Sequence, residues 1–103
     1  MELLPQEVRD RIPRLGTTDE DDPMVWARVL NPATGCRWYI IALEPLATDG
    51  ICYGYMVGWD EELTYFNLSD LDLHAAKVGE PNQLDPAFVP CRLAEVQKRE
   101  RGG

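Results

Sequence analysis

The sequence predicts an α+β domain built on an antiparallel four-stranded meander, with one helix before the meander and two after it. Two observations point there: strand-like apolar runs closed by Gly, Pro, Asn or Asp fill residues 24–68, and apolar residues at helical spacing flank them on both sides. A third is the lack of any internal repeat, low-complexity tract or second composition, which makes residues 1–103 one domain.

The first helix is expected from Leu3-Leu4-Pro5-Gln6-Glu7-Val8, because Pro suits a first helical position and Glu7 falls in the first turn. Pro13 stops it, and Leu4, Val8 and Ile12 recur every four residues to form one packed face. Gly16 to Pro23 is a polar, acidic loop without a large apolar anchor, and mobility is expected of it. The strands are expected at Met24 to Leu30, Cys36 to Leu43, Ile51 to Trp59 and Leu63 to Leu68. Asn31 through Gly35, Pro45 through Gly50 and Asp60-Glu61-Glu62 make the turns. In the third strand Ile51, Tyr53, Tyr55, Val57 and Trp59 alternate with Cys52, Gly54, Met56 and Gly58, so something should lie close to the two glycines, and a helix across that face would explain them. Ser69 is positioned to cap a helix through Lys77, with Asp70 and Asp72 near its start. After a stretch broken by Gly79, Pro81, Pro86 and Pro90, with room for an edge strand near Phe88, Arg92 to Arg101 reads as the last helix, and Arg101-Gly102-Gly103 as a frayed end.

Charge narrows the function classes. The chain carries −8 at pH 7, and from Trp38 to Cys91 the one base, Lys77, faces nine acids. A field of that sign repels phosphates and attracts basic surfaces, so direct nucleic-acid binding is not expected. The longest apolar run, Trp38 to Leu43, is far short of the roughly 20 residues that cross a bilayer. No membrane partner is expected. The amino terminus is acidic where a secretory signal is basic, and the cytoplasm is the expected compartment. Cys36, Cys52 and Cys91 are widely spaced, without a Cys-x-x-Cys pair, and read as reduced thiols.

Leu3-Leu4, Ile12-Pro13-Arg14-Leu15, Asp22-Pro23, Trp38-Tyr39, Gly54-Tyr55 and Glu62-Leu63-Thr64-Tyr65-Phe66, continuing into Asn67-Leu68-Ser69-Asp70-Leu71, run nearly end to end. On these residues the chain resembles domain of unknown function family 2958, small proteins common on plasmids, phages and integrative elements. The family's pattern usually has Gly before the Tyr-Phe pair, where this chain has Thr64. The resemblance implies a mobile-element setting and brings no activity with it.

Asp70, Asp72 and His74 are the best candidates for a metal or acid-base site, and Glu44 or Asp60 from strand ends are the acids that could complete it for phosphodiester cleavage. The helix dipole alone also accounts for Asp70 and Asp72. No phosphate-cradling Gly loop, nucleophile elbow or His-Glu-x-x-His helix is present in the sequence. Trp38, Tyr39, Tyr53, Tyr55, Trp59, Tyr65 and Phe66 read as core aromatics of the meander.

The favoured reading is therefore a binding module of a mobile element or phage. Its partner would be a basic protein surface, such as that of a nucleic-acid-binding protein, and an anti-defence inhibitor would fit. Asp60, Glu61, Glu62, Asp70 and Asp72 are the expected contact residues. No catalytic residue, metal ligand or cofactor is assigned. A metal-dependent nuclease and a small structural or regulatory subunit are the alternatives.

Overall fold

A computed structural model describes residues 4–16, 21–44 and 50–102. The chain is α+β, as its patterning requires, and runs α1 (Gln6–Arg9), β1 (Met24–Val25), β2 (Ala27–Leu30), β3 (Arg37–Glu44), β4 (Ile51–Val57), β5 (Glu61–Asn67), α2 (Leu68–Val78), β6 (Gln83–Leu84), β7 (Cys91–Arg92) and α3 (Leu93–Glu100). The predicted meander forms the body of a five-stranded antiparallel sheet of order β5-β4-β3-β2-β6. Its fifth strand is the edge strand expected near Phe88, found instead at Gln83–Leu84 against Val29 and Leu30. Phe88 packs its ring on Tyr39, with centroids 6.0 Å apart. The loop expected to be mobile lies largely outside the described residues, at 17–20, and so do Leu3 and the turn at 45–49.

The run Met24 to Leu30, read as one strand, is two. Val25 is buried on the α3 side of the sheet and Ala27 on the opposite side, although residues two apart in one strand share a face. The break at Trp26 changes the alternation. Before it, β1 pairs with β7; after it, β2 pairs with β3.

The centre of the sheet is buried on both faces. Ala27, Val29, Trp38, Ile40, Leu43, Cys52 and Phe66 meet Leu4, Ile12 and Leu71 on one side, while Tyr39, Ile41, Tyr55 and Val57 meet Leu93 and Val96 on the other. That explains the unbroken apolar run in β3, which a half-solvated strand would not tolerate. A bulge between Ile40 and Ala42 moves Leu43 onto the face of Ile40. Leu71 is the one fully buried side chain of α2, and burying a leucine contributes about 1.5–3 kcal/mol. The expected face of Leu4, Val8 and Ile12 is observed, although α1 itself is a single turn.

Gly54 needs its missing Cβ for a reason other than the helix expected across its face. A Cβ there would fall 2.1 Å from the Tyr39 carbonyl oxygen, beside the bulge, and 3.3 Å from the Phe66 ring. The close neighbour is the backbone of the adjacent strand. The cap of α2 also differs from the Ser69 expected. Asn67 is the N-cap residue, and a capping box joins its side chain to the backbone of Asp70 while Asp70 accepts a 2.9 Å hydrogen bond from the Asn67 N–H. Gly79, at φ 74°, ends the helix in the left-handed region.

Candidate functional site

The three acids read as the turn before β5 do not act as one cluster. Glu61 already belongs to β5, so strand alternation sends Glu61 to the α3 side and Asp60 and Glu62 to the α2 side. Arg101, expected to fray, hydrogen bonds Glu61 Oε1 through Nη2 at 2.9 Å and Nε at 3.2 Å, and these bonds hold the Glu61 carboxyl below its ordinary pKa. Next to them the Tyr55 hydroxyl is buried without a hydrogen-bond partner among the described residues. Burial pushes that phenol up to about 12, and the Glu61 carboxylate, near but outside hydrogen-bonding geometry, adds to the shift.

On the α2 side Asp60 and Glu62 are exposed at the rim of an open cleft of about 980 Å³, whose walls include Cys36, Met56, Trp59 and His74. Trp59 is wholly exposed at 102%, and Tyr65 and Leu63 on β5 are exposed at 66% and 43%, so these aromatics are not the core residues the sequence suggested. Trp38, Tyr39, Tyr55 and Phe66 are buried as expected. Asp72 is exposed on α2, and Asp70 is exposed but engaged in its capping box.

His74 is a packing residue. Its Nε2 lies 3.1 Å from the Thr34 hydroxyl and its ring meets Trp38 edge-on at 5.3 Å. Among the described residues no three His, Cys, Asp or Glu side chains come together as a metal-ligand set. Glu44, the other acid considered, pairs with Arg14 at 3.2 Å. Cys52 is buried, its thiol pushed up to about 12 by burial, and Cys36 and Cys91 are half-buried.

No family model, curated protein or solved structure matches the chain.

A second cleft, of about 510 Å³, lies between β3 and α3 and had no sequence signal. Arg37 reaches Glu100 through Nε to Oε2 at 2.6 Å and Nη2 to Oε1 at 2.7 Å, the Tyr39 hydroxyl donates to the same carboxylate, and Arg28 pairs with Asp85 at 2.9 Å. Burial acts to raise the Glu100 pKa, but the bonds from Arg37 and Tyr39 outweigh it and the carboxyl sits below its ordinary value. The partners are 57 to 63 residues apart in sequence, so only the fold brings them together. Their charges cancel within the cleft.

Arg14, Arg28, Arg37, Arg99 and Arg101 each pair with a carboxylate. Asp60, Glu62 and Asp72 have no ion pair among the described residues, and they lie exposed beside Trp59 and along α2.

Proposed function

We propose that this chain is a cytoplasmic accessory protein of a mobile element or phage that binds a basic, nucleic-acid-binding surface of a partner protein and occupies it in place of nucleic acid. The observation that carries the reading is the placement of charge: five arginines pair with carboxylates of the same chain, whereas Asp60, Glu62 and Asp72 face outward without an ion pair among the described residues. The exposed Trp59 beside them supports it, because binding energy concentrates on aromatic anchors within a polar rim. The mobile-element setting rests on the resemblance to family 2958, and an anti-defence role is its natural form. The test is competition. A partner captured from host lysate should lose labelled duplex DNA as the chain is added. A partner that holds DNA and this chain together would contradict the reading.

A further inference from the structure

Which backbone groups of β5 point away from β4 follows from its register. Leu68 N–H donates to the Gly50 carbonyl at 3.1 Å and Gly58 N–H to the Asp60 carbonyl at 3.0 Å. Between these two points the pairing with β4 is unbroken, from Ile51 opposite Asn67 to Val57 opposite Glu61. Opposed residues in an antiparallel pair alternate between hydrogen-bonded and non-bonded positions. Residues 60, 62, 64, 66 and 68 are thus bonded to β4, and Glu61, Leu63 and Tyr65 turn their N–H and C=O groups to the open side, where the Tyr65 carbonyl accepts a 3.3 Å bond from the exposed Thr64 hydroxyl. The close approach of Tyr53 and Tyr65 rings, 5.0 Å between centroids, fits a non-bonded pair. β5 is the last strand of its sheet, and among the described residues nothing pairs with its outer edge. The opposite edge, β6, has only two residues.

The side chains along this edge differ by face. Asp60 and Glu62 project to the α2 side; Leu63 and Tyr65 project, exposed, to the other. We propose that the open edge of β5 is the docking element for an extended segment of a basic partner, which adds as a sixth strand with Lys or Arg alternating with apolar residues. In such a strand every second side chain lies beside Asp60 and Glu62, and those between lie on Leu63 and Tyr65. Both the charge and the apolar pattern of β5 are then met at once. A second copy of the chain fits the hydrogen bonds but not the charge, since each copy carries −8. The inference rests on the binding role proposed above and specifies its geometry.

The test uses the full chain and three synthetic ten-residue peptides: alternating Lys and Val, the same peptide N-methylated at every second residue, and alternating Ser and Val. Amide hydrogen exchange is read by NMR. With the Lys-Val peptide at about ten times its Kd, the Leu63 and Tyr65 amides should exchange about tenfold more slowly, while Thr64, already bonded, should change little. N-methylation on the bonding side should abolish the effect. Leu63→Pro, which removes an outward N–H and leaves the bonds to β4, should abolish it in the chain. Salt-sensitive binding that is indifferent to N-methylation and leaves Leu63 and Tyr65 unprotected would overturn strand addition while sparing the acidic binding role. Equal protection by the Ser-Val peptide would overturn the basic occupant. Protection that grows with protein concentration in the absence of peptide, with a dimer in sedimentation, would assign the edge to a second copy instead.

Discussion

Arg37 on β3 and Glu100 at the end of α3 face each other as a planar two-bond pair, at 2.6 Å and 2.7 Å, and tie the last helix to the centre of the sheet. The paired geometry makes this stronger than an ordinary exposed ion pair.

The pair gives stability a pH dependence with a defined sign. The Glu100 carboxyl is lowered in the folded state, so its contribution is present above the unfolded value near 4.5 and is lost as pH falls through the folded value. Glu100→Gln should cost on the order of 1–3 kcal/mol at pH 7 in urea unfolding. The gap to the wild type should narrow below pH 4.5. A gap unchanged between pH 7 and pH 3 would show that the ionised form of Glu100 contributes nothing.

Gly54 and Gly58 should respond oppositely to alanine. At Gly54 the new Cβ meets a backbone carbonyl at 2.1 Å and the strands must separate, which should cost about 3 kcal/mol or more. At Gly58 it meets the Cys36 sulfur at 3.2 Å, a side chain able to turn, and the cost should stay under about 1 kcal/mol. Urea unfolding of both variants reads the difference directly.

Asn31 is the buried polar hub between the β2–β3 turn and the segment after α2. Its side chain donates to the Glu80 carbonyl and Asn82 Oδ1 and accepts from the Ala33 and Thr34 N–H groups. Asn31→Ala leaves those partners unmatched and should cost about 2 kcal/mol or more by urea unfolding. A cost under about 0.5 kcal/mol would mean that water replaces the side chain.

Thiol labelling at pH 8 should separate the three cysteines. Cys52, buried and held protonated, should react only on global unfolding, whereas Cys36 and Cys91 should label in the folded protein. Mass spectrometry of the labelled peptides tests this, and early modification of Cys52 would contradict its place in the core.

The meander was legible because its information is local. Period-two alternation in β4, the continuous apolar run of β3 and the turn residues between strands are sequence patterns, and Gly54 among the small residues of β4 itself signals a close approach. The split at Trp26 is not legible, since it depends on β7 pairing Arg92 with Met24 and Cys91 with Val25, far along the chain. The candidate site was half legible. The acids were visible, but Asp60-Glu61-Glu62 was read as a turn, and the alternation that sends Glu61 away to Arg101 applies only once Glu61 is placed in a strand. The exposure of Tyr65 is hidden for a related reason, since α3 covers only part of its face of the sheet and composition does not say which part, while Trp59 lies past the end of β4 at Val57 and so outside the sheet.

The claim that the outward acids steer this chain to a basic partner is tested most directly by association kinetics. Asp60→Asn, Glu62→Gln and Asp72→Asn together remove the exposed acids beside Trp59 and on α2 and spare Glu61, whose bond to Arg101 would confound the result. With the captured partner, wild-type association should slow by about tenfold or more from low to physiological salt, where the Debye length falls to about 8 Å. The triple variant at low salt should already associate near that slower rate, with dissociation little changed and the unfolding midpoint preserved. A wild-type association rate indifferent to salt, and equal in the triple variant, would contradict the account.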